Sequence, residues 1–248
     1  MFCGEHRLPE NHACPKVGGP LQPGYAQVKR TRSTTNEKLG LPYVRSNRSR
    51  FRFRYAGLFS KTERKHILLA TGAMLLLGLS LTTTIVLAQP ILLLLLIPAF
   101  IGSFLGHELS HKFLAQRNGL WAEFRTNMYG LMLTFVSIIL PFKFLAPGQT
   151  NIQGSANKEV IGAIGLIGPG VNVVLGAAFF VLSKFASSFL SLSFLELTIF
   201  NGWLAVFNLI PFGSFDGTSV YQWDKTRWVI SLVAAAFLLV LGFYPNLI

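Results

Sequence analysis

After residue 65 the chain is a series of apolar runs separated by Pro, Gly, Asn or charged residues. They cover 66–88, 91–115, 128–146, 160–182, 194–212 and 228–244. A helix that crosses a bilayer needs about 20 mostly apolar residues. Every run but the third meets or nearly meets that length. Run three is interrupted by Pro141 and Lys143, and its clean part, 130–140, is short. Such a segment reads as interfacial or re-entrant rather than spanning. The pattern therefore predicts an all-α polytopic membrane protein with about five transmembrane helices and one partly inserted β or re-entrant segment, together forming a domain over 59–248.

Composition agrees. Hydrophobic residues make up 51% of the 248 residues and charged residues only 13%, against about 25% charged in soluble domains. An ordinary soluble globule is excluded. Charge is unevenly distributed: residues 1–65 carry 14 Lys/Arg and four Asp/Glu, and the rest carries eight and six. The first apolar run begins beyond the window of a secretory signal, so the basic head is expected to stay in the cytoplasm, with the multi-pass body in the cell membrane. Residues 16–58, rich in Gly, Pro, Ser, Thr and Asn, read as a flexible basic linker. Within it, Arg48, Arg50, Arg52 and Arg54 alternate with Phe51, Phe53 and Tyr55. An extended chain then has one cationic and one aromatic face, suited to anionic membrane lipids. A protein or nucleic-acid contact is the weaker alternative, and nucleic acid is not expected as a partner.

Run two ends in His107-Glu108-Leu109-Ser110-His111. Histidines at i and i+4 share a helical face and can bind one zinc, with the Glu placed to act on the water. Sixteen residues, about 24 Å of helix, separate Pro90 from Gly106, so the motif lies near the far end of its span. Glu within a span is costly and signals function. A catalytic zinc takes three protein ligands, and the third is open among Glu123, Glu159, Glu196, Asp216 and Asp224. Asp216 stands out, at the end of run five in Asn208–Gly217, where Pro211 and Gly213 break the helix and Gly217 permits a turn. Run four contributes Gly168-Pro169-Gly170-Val171-Asn172 in a glycine-rich span. Asn172 is an intramembrane amide that either ties helices together or contacts a substrate.

These three motifs, in this order over residues 66–220, resemble the site-2 proteases, a family of intramembrane zinc metalloproteases. The resemblance implies His107, His111 and Asp216 as zinc ligands and Glu108 as the catalytic base. It also implies roles for Asn172, Asn208 and Pro211 in the substrate cleft, and a transmembrane protein as substrate in regulated intramembrane proteolysis. The sequence departs from the family in having Phe215 where Leu is usual before Asp-Gly. Residues 1–15 carry Cys3, His6, His12 and Cys14, a mixed N/S set suited to structural zinc. They resemble the last half of the AN-one type zinc finger, which implies a second zinc and a protein partner for the head. The competing expectation is a non-enzymatic membrane receptor or scaffold that works through this finger.

The position of run three decides whether the motifs can meet. With the head inside, run two returns to the cytoplasmic face. If run three only dips into the membrane, run four starts from that same face and run five brings Asp216 back to it.

Overall fold

The computed structural model describes residues 58–81, 87–140, 143 and 147–247. The head residues Cys3, His6, His12 and Cys14, most of the linker, and its Arg/aromatic stretch lie outside the described residues.

Helix α1, Lys61–Leu81, is opened by Ser60, whose Oγ accepts the Glu63 N–H at 3.1 Å. A 3-10 turn at Pro90–Leu92 leads into α2, Leu93–Arg117. Proline suits this first turn, because its missing N–H would have no partner there. Asn118 and Gly119 end α2. Gly119 takes φ +80°, a left-handed conformation that favours glycine, and its N–H reaches back to Gln116 O.

Run three holds helix α3 (Met128–Ser137), and strands β1 (Trp121–Thr126) and β2 (Gly148–Gln153) flank the run. The strands pair antiparallel, with Phe124 opposite Thr150. Ten residues of α3 rise about 15 Å, half a hydrocarbon core. The sequence predicts a strand pair or re-entrant loop over 122–146; the structure has a strand pair with a short apolar helix between its strands.

Helices α4 (Lys158–Phe185), α5 (Ser188–Asn208), α6 (Asp216–Trp223) and α7 (Lys225–Phe243) complete the body. Asn157 caps α4 and Asp224 caps α7, each through its side-chain oxygen. Among the described residues, α1, the Pro90–Arg117 segment, α4, α5 and α7 are the five helices long and apolar enough to cross a membrane. α6 is an addition: the sequence suggested only a turn at Gly217, and the structure has an eight-residue helix from Asp216.

Contacts fix the order of the spans. The start of α1 meets the end of α2 through Glu63 and Lys112. The start of α7 meets the end of α5 where the Trp228 indole N–H donates to Leu209 O at 2.7 Å. At the other end, Lys184 near the end of α4 donates to Pro245 O beyond α7. Successive spans therefore alternate in direction, and β1, α3 and β2 leave and rejoin at the same end. The main core packs Met74 and Leu77 of α1 against Phe100 and Phe104 of α2 and Leu197 and Phe200 of α5. The Phe100 and Phe200 rings meet edge to face at 4.6 Å.

Candidate metal centre

Two elements bring three side chains to one point. α2 supplies His107 and His111, one turn apart, and α6 supplies Asp216 from its first residue. Each Nε2 lies 3.1 Å from Asp216 Oδ2, and the two Nε2 atoms are 3.2 Å apart. Of the acidic residues considered as third ligand, Asp216 is the one gathered with the histidines. Glu123 instead pairs with Arg125 at 2.6 Å, and Asp224 caps α7. The N–H groups of Arg227 and Thr226 bind the Asp224 carboxylate and hold it below its ordinary range.

The other ring nitrogens are fixed by acceptors. His107 Nδ1 is 2.6 Å from Asn172 Oδ1, and His111 Nδ1 is 2.7 Å from Ile164 O. Both Nδ1 atoms are therefore donors, which leaves lone pairs on both Nε2 atoms in the neutral rings. Two lone pairs and a carboxylate oxygen facing one another at this spacing repel unless a cation lies among them. Ligand atoms 2.0–2.1 Å from a tetrahedral zinc stand about 3.3 Å apart. The three atoms fit one face of that tetrahedron.

Close approach of α4 makes the arrangement possible. A Cβ on Gly168 would lie 2.2 Å from His111 Nε2, so only glycine lets the helix backbone pass this near the imidazoles. Gly217 has a similar reason, and here the sequence expectation is corrected. It is not a turn glycine but the second residue of α6, and a Cβ there would lie 2.1 Å from Leu209 O.

Glu108, adjacent to His107, faces β2. Its Oε2 accepts the Thr150 N–H at 2.7 Å and the Thr150 hydroxyl at 3.0 Å. On β1, the Phe124 N–H donates to Glu63 Oε1 at 2.9 Å. Both amides point away from the partner strand, so Phe124 and Thr150 form a pair without mutual hydrogen bonds. By alternation, Gly148, Thr150 and Ile152 direct backbone groups outward from the hairpin. All three line a cleft of about 500 Å³ that also exposes His107, Glu108 and Asp216.

Asn172 does not reach that cleft. It is fully buried, and its Nδ2 donates to Asn201 Oδ1 at 2.9 Å while its Oδ1 holds His107. The substrate-contact expectation gives way to a positioning one. Asn201 in turn donates to Ser103 Oγ at 3.0 Å, tying α2, α4 and α5 behind the histidines. Asn208 lines the cleft, with its amide donating to Leu204 O at 2.9 Å. Pro211 is exposed in the α5–α6 turn, off the cleft wall. Sequence reasoning missed Thr150, Gly168 as the contact glycine, and Asn201. Asn201 carried the same signal as Asn172, an amide inside an apolar span.

No family model matches the chain, and no solved structure matches it significantly. A curated protein of Methanocaldococcus jannaschii, named "putative zinc metalloprotease", is 34% identical over 150 residues, 58% of this chain and 78% of that protein. The chain belongs to that relative's family, a family of zinc metalloproteases. Zinc is the metal that this relationship and the His107–His111–Asp216 cluster together suggest.

Proposed function

We propose that the protein is an intramembrane zinc endopeptidase of the site-2 protease type, which cleaves transmembrane segments of other proteins. The observation that carries this reading is the convergence of both Nε2 atoms and Asp216 Oδ2 beside Glu108, at the wall of a cleft. His107, His111 and Asp216 hold the zinc, which when bound supplies Lewis acidity to the scissile carbonyl and to water. Glu108 accepts the proton of the attacking water and passes it to the leaving amine. Asn172 and the Ile164 carbonyl keep both imidazoles in the ligating tautomer. Thr150 orients the Glu108 carboxylate.

A helix hides its amides, so the substrate must unwind to be cut. The outward edge of β2 supports pairing with such an extended strand, through backbone groups of Gly148 and Ile152 and the Thr150 carbonyl, the Thr150 N–H being held by Glu108. Apolar residues of α3, including Met128, Tyr129 and Met132, are exposed, which supports partial insertion of this segment into lipid. The head, residues 1–15, serves as a zinc-binding module that recruits a protein partner through the linker. The scaffold reading leaves Glu108 and its hold by Thr150 without a use.

The test is purified protein in liposomes with a single-span substrate. Cleavage in the wild type should stop with a zinc chelator, return with added zinc, and be absent in Glu108→Gln. Full activity in Glu108→Gln sinks the reading.

A further inference from the structure

A second cavity, of about 190 Å³, lies along the membrane-embedded part of α5. Leu81, Phe100, Ile199, Phe200 and Trp203 line it, and so does one carboxylate, Glu196. The Oε2 of Glu196 is buried and has no hydrogen-bond partner. An ionisable group inside a span is costly and is expected to meet a partner. None of the proposed chemistry uses it.

The placement of this groove suggests its occupant. Phe100 lines the groove, and Phe104, one turn further along α2, lines the cleft. On α5, Phe200 and Trp203 line the groove, and Leu204 and Phe207, the next turn, line the cleft. The groove and the cleft are thus successive stretches of the same two helices. The groove therefore lies deeper along the two helices that also wall the cleft. Glu196 precedes Asn208 by 12 residues, about 18 Å along the helix axis. That depth lies within hydrocarbon, beyond the reach of a lipid headgroup.

We propose that this groove seats the still-helical part of the transmembrane substrate, and that Glu196 selects substrates with a hydrogen-bond donor at that depth. The proposal rests on the intramembrane-protease reading. The aromatic and aliphatic wall packs an apolar helix without choosing its sequence. The Glu196 carboxylate, which lines the groove, supplies the choice, because a turn of its side chain brings the unpartnered oxygen to a Lys, Arg, Asn or Gln donor, and Leu offers none. A substrate helix rises about 1.5 Å per residue. Its donor therefore sits about 12 residues into the membrane from the point where the chain unwinds in the cleft.

The full chain in proteoliposomes is given leucine-rich single-span substrates that share one cleavable stretch. Asn, Lys or Leu is placed 12 residues deeper, with a set carrying Asn at 10 residues as an off-face control. The kcat/KM for Asn or Lys relative to Leu should be about three- to thirtyfold in the wild type, the range an interhelical hydrogen bond in lipid supplies. KM should carry the difference. The ratio should fall to about one in Glu196→Leu, whereas Glu196→Gln, which keeps an acceptor, should retain the preference for Asn. A ratio near one in the wild type, or an unchanged ratio in Glu196→Leu, overturns the proposal. Occupancy is read separately by a photo-crosslinking residue at position 203 in Glu108→Gln. Crosslinks to the Asn substrate exceeding those to the Leu substrate support the groove even if no substrate is ever cut, which would sink only the protease reading. Crosslinks to a second copy of the chain or to lipid alone overturn the groove and leave the protease reading standing.

Discussion

Gly168 and Gly170 stand two residues apart on α4, and they face different surroundings. A Cβ at 168 meets the imidazoles, and one at 170 meets nothing within 4 Å. Alanine favours a helix over glycine by up to about 1 kcal/mol. Gly170→Ala should therefore keep its zinc and melt at or above the wild-type temperature. Gly168→Ala should lose zinc affinity at least tenfold while its helix content, by circular dichroism, stays unchanged. Asn172 acts one bond further out. Removing the acceptor of a ligating His typically costs 10–100-fold in metal affinity, so Asn172→Ala should bind zinc in that weakened range. Metal content is best measured with Cys3→Ser and Cys14→Ser in the background, so that the head does not contribute. In that background Glu108→Gln should retain zinc, and His107→Ala should not.

At the level of elements, the catalytic helix is anchored by a buried ion pair. Lys112, the residue after His111, donates to Glu63 Oε2 at 2.6 Å and to Leu58 O at 2.7 Å, and both charged side chains are about 1% exposed. Removing one partner of a buried pair leaves an uncompensated charge and costs about 3–5 kcal/mol. Lys112→Met should lower the unfolding temperature sharply in detergent. Lys112→Met with Glu63→Gln should recover most of it, because the amide oxygen still accepts the Phe124 N–H. The cap of α7 gives a pH signature. The Asp224 carboxylate is held below its ordinary range by the Arg227 and Thr226 N–H groups, so its contribution is complete above the unfolded carboxyl pKa, about 3.9. It fades as pH falls through the lowered folded value. The stability gap between wild type and Asp224→Ala should accordingly narrow below about pH 4. These elements also show how far sequence reaches. The spans were legible because lipid demands long apolar runs, and the i, i+4 histidines were legible because a helix puts them on one face. β2 was not: Gly148–Gln153 has a single large apolar residue, Ile152, and takes its place from pairing with β1. The Lys112–Glu63 pair was hidden for the same reason. In the sequence nothing distinguishes Lys112 from the other charges that follow an apolar run, and its buried partner lies 49 residues away.

For the whole molecule, one end of the bundle collects the metal cluster, the cleft and the start of α1. His107 and His111 lie in the later part of α2, Ile164 and Gly168 in the earlier part of α4, and Asp216 just after α5. This convergence requires β1, α3 and β2 to return the chain to the end it left. Had α3 crossed, α4 would start from the opposite face, and Asp216 would lie a membrane thickness, about 30 Å, from His107. Among the described residues, Lys112, Arg117, Arg125, Lys158, Lys225 and Arg227 lie toward the metal end, Lys143 binds the carbonyls at the end of α3, and Lys184 lies at the other end. Cytoplasmic faces are enriched in Lys and Arg, so the metal end is expected to face the cytoplasm and the end of α7 to face outward. Single cysteines at Ser155, Ser187 and Gln222, in the chain carrying Cys3→Ser and Cys14→Ser, test this with an impermeant thiol reagent on intact cells. Ser155 precedes α4 and Gln222 lies on α6, both exposed at the metal end, whereas Ser187 is exposed in the α4–α5 turn at the opposite end. Only the cysteine at 187 should react before the cells are opened, and all three afterwards. Reaction at 155 or 222 in intact cells, with 187 protected, would reverse the orientation. Reaction at 155 together with protection at 222 would place a membrane between α4's start and Asp216, and a shared metal site would then be impossible.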